Sequence, residues 1–256
     1  MNHHIEIPLQ PCLVITDIHG NYTRLNNLLE KKSPSEKILF LGDYCDRGED
    51  SLSVLLKVKQ LVEDGKAIAI RGNHDQMFLD FLDSPDEQPE FYYNQGGRAT
   101  IDSFYDLDFS PSISYTPQRN ASYIKNSFPE LIAFIRSLPF TVEMDDWVFV
   151  HAGIQTYSPS WRETTSLTDM IWIREQFYRQ KNETGKRVMF GHTSTYHLPS
   201  HDTPIWVSAD KTLFGIDGGA GGSGCLNAVR INNGKIHEVL KAYREGTVMS
   251  FPFETY

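Results

Sequence analysis

Three short apolar runs, Cys12-Leu13-Val14-Ile15, Ile38-Leu39-Phe40-Leu41 and Ala67-Ile68-Ala69-Ile70, each end in a polar turn. Runs of that length, apolar throughout, predict strands buried on both faces. Between them, Leu25, Leu28 and Leu29 in Thr23 to Lys32, and Leu55, Val58, Leu61 and Val62 in Ser51 to Glu63, recur at helical spacing. Asp17, Asp43 and Asn73, one in each turn, stand roughly 30 residues apart, the length of one βαβ unit. Right-handed crossovers make such strands parallel, and α/β folds bind ligands at the carboxyl ends of parallel strands. The spacing therefore gathers Thr16 to Asn21, Gly42 to Gly48 and Arg71 to Asp75 into one crevice.

Taken alone, Gly42-Asp43-Tyr44-Cys45-Asp46-Arg47-Gly48 reads as a polar turn with an Asp–Arg ion pair. The rest of the chain raises its significance. A hairpin is predicted from Phe140 to Met144 and Trp147 to Val150, and its second strand runs into His151-Ala152-Gly153. Lys186 to Phe190 runs into Gly191-His192-Thr193. Asp17, His19, Asp43, Asp46, Asn73, His74, His151 and His192 thus all fall at ends of apolar runs. Any one of them alone is more often structural; the set together is hard to reconcile with solvated turns. Mixed carboxylate, imidazole and amide donors suit Mn, Fe or Zn better than an all-oxygen Ca or Mg cage. The donors are too many for one ion, so two divalent metal ions are expected.

The remaining segments are read as a short helix at Gln76 to Leu82, helices at Pro129 to Ser137 and Thr168 to Gln180, and a mostly antiparallel second half. Its strands are Pro204 to Ser208, Leu213 to Ile216, Cys225 to Ile231 and Lys235 to Val239, the last two joined by the hairpin turn Asn232-Asn233-Gly234. Residues from about 83 to 126, rich in Asp, Pro, Ser, Asn and Tyr, read as a cap or insertion within a single domain spanning 1–256. They include Asn94-Gln95-Gly96-Gly97-Arg98-Ala99-Thr100 and the aromatics Phe91, Tyr92, Tyr93, Phe104 and Tyr105, which pack or stack an adenine. His3-His4 is assigned to an unstructured terminus, and His197, His201 and His237 carry no partner pattern.

The chain has 24 Lys plus Arg against 33 Asp plus Glu, a net charge of -9. That balance disfavours a general nucleic-acid binder. Cys12, Cys45 and Cys225 are odd in number and lack zinc-site spacing, so no disulfide framework is expected. No run reaches 18 apolar residues and no secretory leader is visible, which predicts a cytoplasmic protein with no membrane partner. Oligomeric state leaves no trace in the sequence.

The ordered motifs D-x-H-G, G-D-x-x-D-R-G, G-N-H-D, H-A-G and G-H-T resemble those of the phosphoprotein phosphatase branch of the calcineurin-like metallophosphoesterases, closest to small bacterial and phage-type members. The resemblance runs from about Leu13 to Leu226; Asp75 departs from the Glu common in eukaryotic members. It implies an α/β fold of the metallophosphoesterase type, an αββα sandwich of two mixed β-sheets flanked by helices. It places Asp17 and His19 on one metal, Asn73, His151 and His192 on the other, and Asp43 between them. A metal-bridging hydroxide is then expected to attack phosphorus directly. By the same resemblance Arg47 and Arg174 grip the phosphoryl oxygens, His74 protonates the leaving oxygen and Asp46 orients His74. A Trp-x-Arg such as Trp172 to Arg174 is otherwise more often a surface arginine beside a core tryptophan.

The expected activity is a manganese-dependent phosphomonoesterase, with iron or zinc as alternative metals. Its substrate is a phosphorylated protein, through serine/threonine phosphatase activity, or a small phosphorylated molecule. The symmetrical diadenosine tetraphosphatases share the metal motifs and form the alternative. A different class, an inactive scaffold, would carry substituted ligands, and none is substituted.

Overall fold

Alternation of faces along the short strands builds a four-layer core. The computed structural model describes residues 3–105, 110–199 and 203–253; His201 lies outside them, as do residues 106–109 of the insertion. The strands are β1 (His4–Ile7), β2 (Cys12–Ile15), β3 (Lys37–Phe40), β4 (Ala67–Ala69), β5 (Thr141–Met144), β6 (Trp147–Val150), β7 (Arg187–Phe190), β8 (Trp206–Val207), β9 (Leu213–Gly215), β10 (Leu226–Asn232), β11 (Lys235–Ala242) and β12 (Val248–Pro252). They form two six-stranded sheets, ordered β1-β5-β6-β7-β9-β8 and β12-β11-β10-β2-β3-β4. Cys12, Val14, Leu39 and Val229 of one sheet meet Val142, Trp147, Phe149, Met189 and Phe214 of the other. Period-two alternation sends Leu13, Ile15, Ile38 and Phe40 to the opposite face.

That outer face is covered by α1 (Tyr22–Leu29), α2 (Ser51–Glu63) and α3 (Asn73–Asp83), which share the cluster through Leu25, Val54 and Phe78. The insertion follows as α4 (Pro89–Tyr92), a π-helical turn (Tyr93–Gly97), α5 (Arg98–Ser103), α6 (Pro111–Ser114) and α7 (Pro117–Ser127), then α8 (Pro129–Ser137). The other sheet is covered by α9 (Trp161–Thr164), α10 (Leu167–Trp172) and α11 (Glu175–Tyr178), with Trp161, Met170 and Phe177 against Val148, Val188 and Phe190. Two mixed sheets flanked by helices agree with the fold class expected from the sequence.

Several local readings are corrected. β2, β3 and β4 are parallel as expected; the second half is mostly antiparallel in its pairings, but β6, β7 and β9 run parallel. Hence His151 and His192 emerge on the same edge as the first three turns. The hairpin β10–β11 does not stay with the second half either; β10 joins β2 antiparallel in the N-terminal sheet. His4 belongs to β1, paired in parallel with β5, not to an unstructured terminus. The helix read from Gln76 begins at Asn73, so Asn73, His74 and Asp75 form its first turn. The helix read across Thr168 to Gln180 breaks at Ile173–Arg174, where Arg174 leaves helical geometry (φ -131°, ψ -110°).

Candidate metal centre

Six of the ten described non-glycine residues with positive φ are Asp17, His19, Asp43, Asp46, Arg47 and His192. A side chain in the left-handed region persists only where its surroundings hold it there, and such strain concentrates at functional sites. The holding contacts are visible. Asp17 N–H donates to Gly42 O (3.1 Å), His19 N–H to Asp43 O (2.9 Å) and Gly20 N–H to Tyr44 O (2.9 Å), which zips the first turn onto the second. Gly72 lies so close beneath Asp43 that a Cβ there would stand 2.2 Å from Asp43 Oδ1.

Asp75, for which sequence reading found no task, fastens the second turn to the third. Its carboxylate accepts N–H bonds from Gly72 (2.9 Å), Asp43 (2.9 Å) and Tyr44 (3.0 Å). Burial first, and Asp43 second, push its pKa up to about 6 against the pull of those three donors. An acid three residues past a glycine-led helix start is the sequence signal for such an N-terminal clip.

Asp43 lies at the centre. Ligand atoms of His19, Asp43 and His74 fall within 4.8 Å of one another, and so do those of Asp43, His151 and His192. His19 Nδ1 donates to Cys45 O (2.9 Å), which leaves Nε2 facing Asp43 Oδ2 at 3.6 Å. His151 Nδ1 donates to Leu41 O (2.8 Å), and its Nε2 faces Asp43 Oδ1 (3.4 Å) and Asn73 Oδ1 (2.9 Å). His192 Nδ1 is also 2.9 Å from Asn73 Oδ1, and its buried Nε2 has no hydrogen-bond partner. Asp17 belongs to neither triplet; its oxygens accept from His192 N–H (3.0 and 3.1 Å) and the Thr16 hydroxyl (2.6 Å).

The electrostatics suit cations. Burial, then Asp217 and Asp43, push the Asp17 carboxyl well above the usual range, because three buried acids repel one another. Burial, then His74, holds His19 well below its ordinary value; burial, then His151, does the same for His192. Both rings are therefore neutral, the form that ligates metal. Burial works against charge on His151, but the Asp43 carboxylate outweighs it and raises the pKa to about 9. Like-charged buried carboxylates, neutral imidazoles and an orphaned ring nitrogen together fit a centre for divalent metal. Another grouping, His4, Glu6 and Glu143, does not, since Arg162 already binds Glu6 (2.7 Å) and Glu143 (2.5 Å).

His74 sits in the first triplet, yet both its nitrogens are engaged: Nδ1 is 2.8 Å from Asp46 Oδ2, and Arg47 Nη2 is 2.9 Å from Nε2. A guanidinium only donates, so Nε2 accepts and the ring proton lies on Nδ1, given to Asp46. Asp46 and Arg47 thus meet opposite edges of one imidazole instead of pairing with each other. Arg174 donates to Thr193 Oγ1 (3.1 Å) and His192 O (3.3 Å), beside the second triplet. Both arginines are exposed, and so is Trp172, whose ring edge lies against His192. The surface arginine is therefore accompanied by an exposed, not a core, tryptophan. Arg71, at the start of the third turn, donates to Gln76 Oε1 (2.8 Å) and Arg136 O (2.5 Å). Asp217 accepts from Gly219 N–H (2.7 Å), and buried Arg24 donates to Gly224 O (3.0 Å), which pins the glycine-rich turn. The Arg24 contact carries no periodic signal that sequence reading detects.

Residues 11–217 match the family pattern of the calcineurin-like phosphoesterases, and the chain belongs to that family. It is 28% identical over 189 residues to serine/threonine-protein phosphatase 1 of Salmonella typhimurium, covering 70% of this chain and 77% of that one. It is equally similar to the asymmetrical bis(5'-nucleosyl)-tetraphosphatase PrpE of Oceanobacillus iheyensis, 29% identical over 198 residues, 72% of each chain. The fold is shared with a cold-active protein-tyrosine phosphatase from a psychrophilic Shewanella, with a TM-score of 0.59 at 17% identity over 98% of this chain and 82% of that one.

Proposed function

We propose that this chain is a dinuclear metal-dependent phosphomonoesterase acting on proteins phosphorylated at serine or threonine, with manganese as its working metal. The observation that carries the reading is Asp43, whose carboxylate is common to two triplets of ligand atoms. Asp17, His19 and Asp43 would hold one ion, and Asp43, Asn73, His151 and His192 the other. When bound, the two ions supply a water ionised near neutrality and Lewis-acid contacts to phosphoryl oxygens.

The chain's own residues supply the rest. Arg47 and Arg174 present planar, permanently charged forks at the mouth, suited to bidentate contact with phosphate. An incoming phosphate dianion is a stronger acceptor than a neutral imidazole and draws Arg47 from His74. His74 Nε2 is then free to carry the proton that the leaving oxygen needs, with Asp46 on Nδ1 fixing the orientation of the ring.

The insertion supports a phosphoprotein over a dinucleotide. Of the five aromatics able to stack an adenine, Tyr92, Tyr93 and Phe104 are buried in packing and Tyr105 stacks on Tyr123, with ring centroids 4.3 Å apart. Only Phe91 is exposed. The manganese-loaded protein is expected to turn over serine- and threonine-phosphorylated peptides faster than diadenosine tetraphosphate in a side-by-side assay. Useful turnover of the dinucleotide alone would transfer the chain to the tetraphosphatases.

Metal uptake is expected to release protons. Below pH 9 His151 is protonated in the metal-free protein, and a ligand must lose its proton to bind. Apparent manganese affinity should fall about tenfold per pH unit as pH drops below about 9, for that one proton. Calorimetry in buffers of different ionisation heat reads the number released; a pH-independent affinity between 7 and 9 would contradict the assignment of His151.

A further inference from the structure

The turn at Asn94 to Thr100 packs against the Gly42–Gly48 loop. Gly96 O accepts from Arg47 N–H at 3.2 Å, and Gly96 has φ +104°. A Cβ there would lie 2.6 Å from Arg47 N, and one on Gly97 would lie 2.4 Å from the Tyr92 ring. The paired glycines let this segment close on the loop while Tyr92 lies flat beneath it. Three contacts result, all on one buried residue. Tyr92 Oη donates to Asp46 Oδ1 (2.9 Å), Thr100 Oγ1 donates to the same oxygen (2.6 Å), and Thr100 Oγ1 accepts from Asp46 N–H (2.7 Å). The insertion occupies Oδ1, and His74 Nδ1 has Oδ2 at 2.8 Å.

We infer that Tyr92 and Thr100 are positioning residues for the proton donor: by holding Asp46 Oδ1 they aim Oδ2 at His74 and so fix the ring that serves the leaving group. A carboxylate turns freely about its terminal torsion unless both oxygens are engaged. In a site this dry, hydrogen bonds to the ionised group are strong and directional. The second contact of Thr100, to the Asp46 backbone, also holds the left-handed φ of +70° at that residue. The insertion thereby acts on the chemistry through Asp46.

This inference rests on His74 being the acid, so the test includes it. Manganese-loaded wild type, Tyr92→Phe, Thr100→Val, Thr100→Ser, His74→Asn and the double variant Tyr92→Phe/His74→Asn are compared on an alkyl phosphate and on p-nitrophenyl phosphate, with metal content measured on each. Tyr92→Phe and Thr100→Val should each lower kcat on the alkyl ester about tenfold, part of the ~10²–10⁴-fold that a positioned acid supplies. Their kcat on p-nitrophenyl phosphate, both KM values and the metal content should stay within about twofold, because that leaving group needs little protonation. Thr100→Ser should restore the rate, and the double variant should be no slower than His74→Asn alone. Equal losses on both esters, or a further loss in the double variant, would overturn the inference. If His74→Asn shows the leaving-group preference and the insertion variants do not, the inference alone fails. If His74→Asn shows none, the assignment of the acid fails and takes the inference with it. Should Thr100→Val not fold, Tyr92→Phe, which keeps its ring, decides the matter.

Discussion

Replacing Asp43 with asparagine is expected to empty both metal positions together and to lower turnover on the order of 10³-fold or more. Stabilisation by catalytic metal is worth several kcal/mol, and each ~1.36 kcal/mol is a factor of ten in rate. The substitution is nearly isosteric, and its amide oxygen still accepts the His74 N–H bond that Asp43 Oδ1 receives at 2.9 Å. It removes the negative charge common to His19, His151 and His192 but keeps the shape of the side chain, so the larger loss falls on the metals. Elemental analysis checks the occupancy, and the melting temperature checks the fold. The metal-free variant should melt no higher than the metal-free wild type, since the carboxylate that faces His151, held well below its ordinary pKa chiefly by that ring against burial, has been neutralised. Manganese should raise the melting temperature of the wild type and not of the variant.

His74→Asn should behave in the opposite way, keeping both metals and losing rate selectively. Neither ring nitrogen of His74 is free to ligate, because Asp46 and Arg47 hold them. On an alkyl phosphate the loss is expected at ~10²–10⁴-fold, the range for a positioned general acid. On p-nitrophenyl phosphate it should be within about tenfold, since a stable phenolate departs without a proton. Equal losses on the two esters would show that His74 acts on something other than the leaving oxygen.

The two variants divide the site as the sequence divides it. Asp17, His19, Asp43, Asn73, His151 and His192 were legible because each ends an apolar run, and a strand end is a fixed address in an α/β sandwich. The parallel course of β6, β7 and β9 was less legible. Val148 and Val188 read alike in parallel and antiparallel ladders, and only their pairing reveals direction. β12 escaped because an edge strand with exposed Met249 and Ser250 lacks an apolar run. The break at Ile173–Arg174 escaped because neither residue is a helix breaker.

What supports the site was the least legible. Asp75, Tyr92, Thr100 and Arg24 act through contacts between distant turns, which leave no spacing in the chain. Tyr92 and Thr100 carry the residue types of ordinary packing, and their reach to Asp46 exists only once Gly96 and Gly97 have brought the insertion against the loop. Positive φ at Asp43, Asp46 and Arg47 is likewise invisible in residue types that adopt it only under constraint. Cys45, between Asp43 and Asp46 in the chain, is fully buried, and burial pushes its thiol well up, which keeps it from acting as a thiolate.

The central claim is that one carboxylate, Asp43, organises two metal positions. Anomalous diffraction from crystals grown with manganese tests it most directly. Two peaks flanking the Asp43 carboxylate, one on the side of Asp17 and His19 and one on the side of Asn73, His151 and His192, are the predicted result. A single peak that does not touch Asp43, or manganese at His4, Glu6 and Glu143 instead, would contradict it.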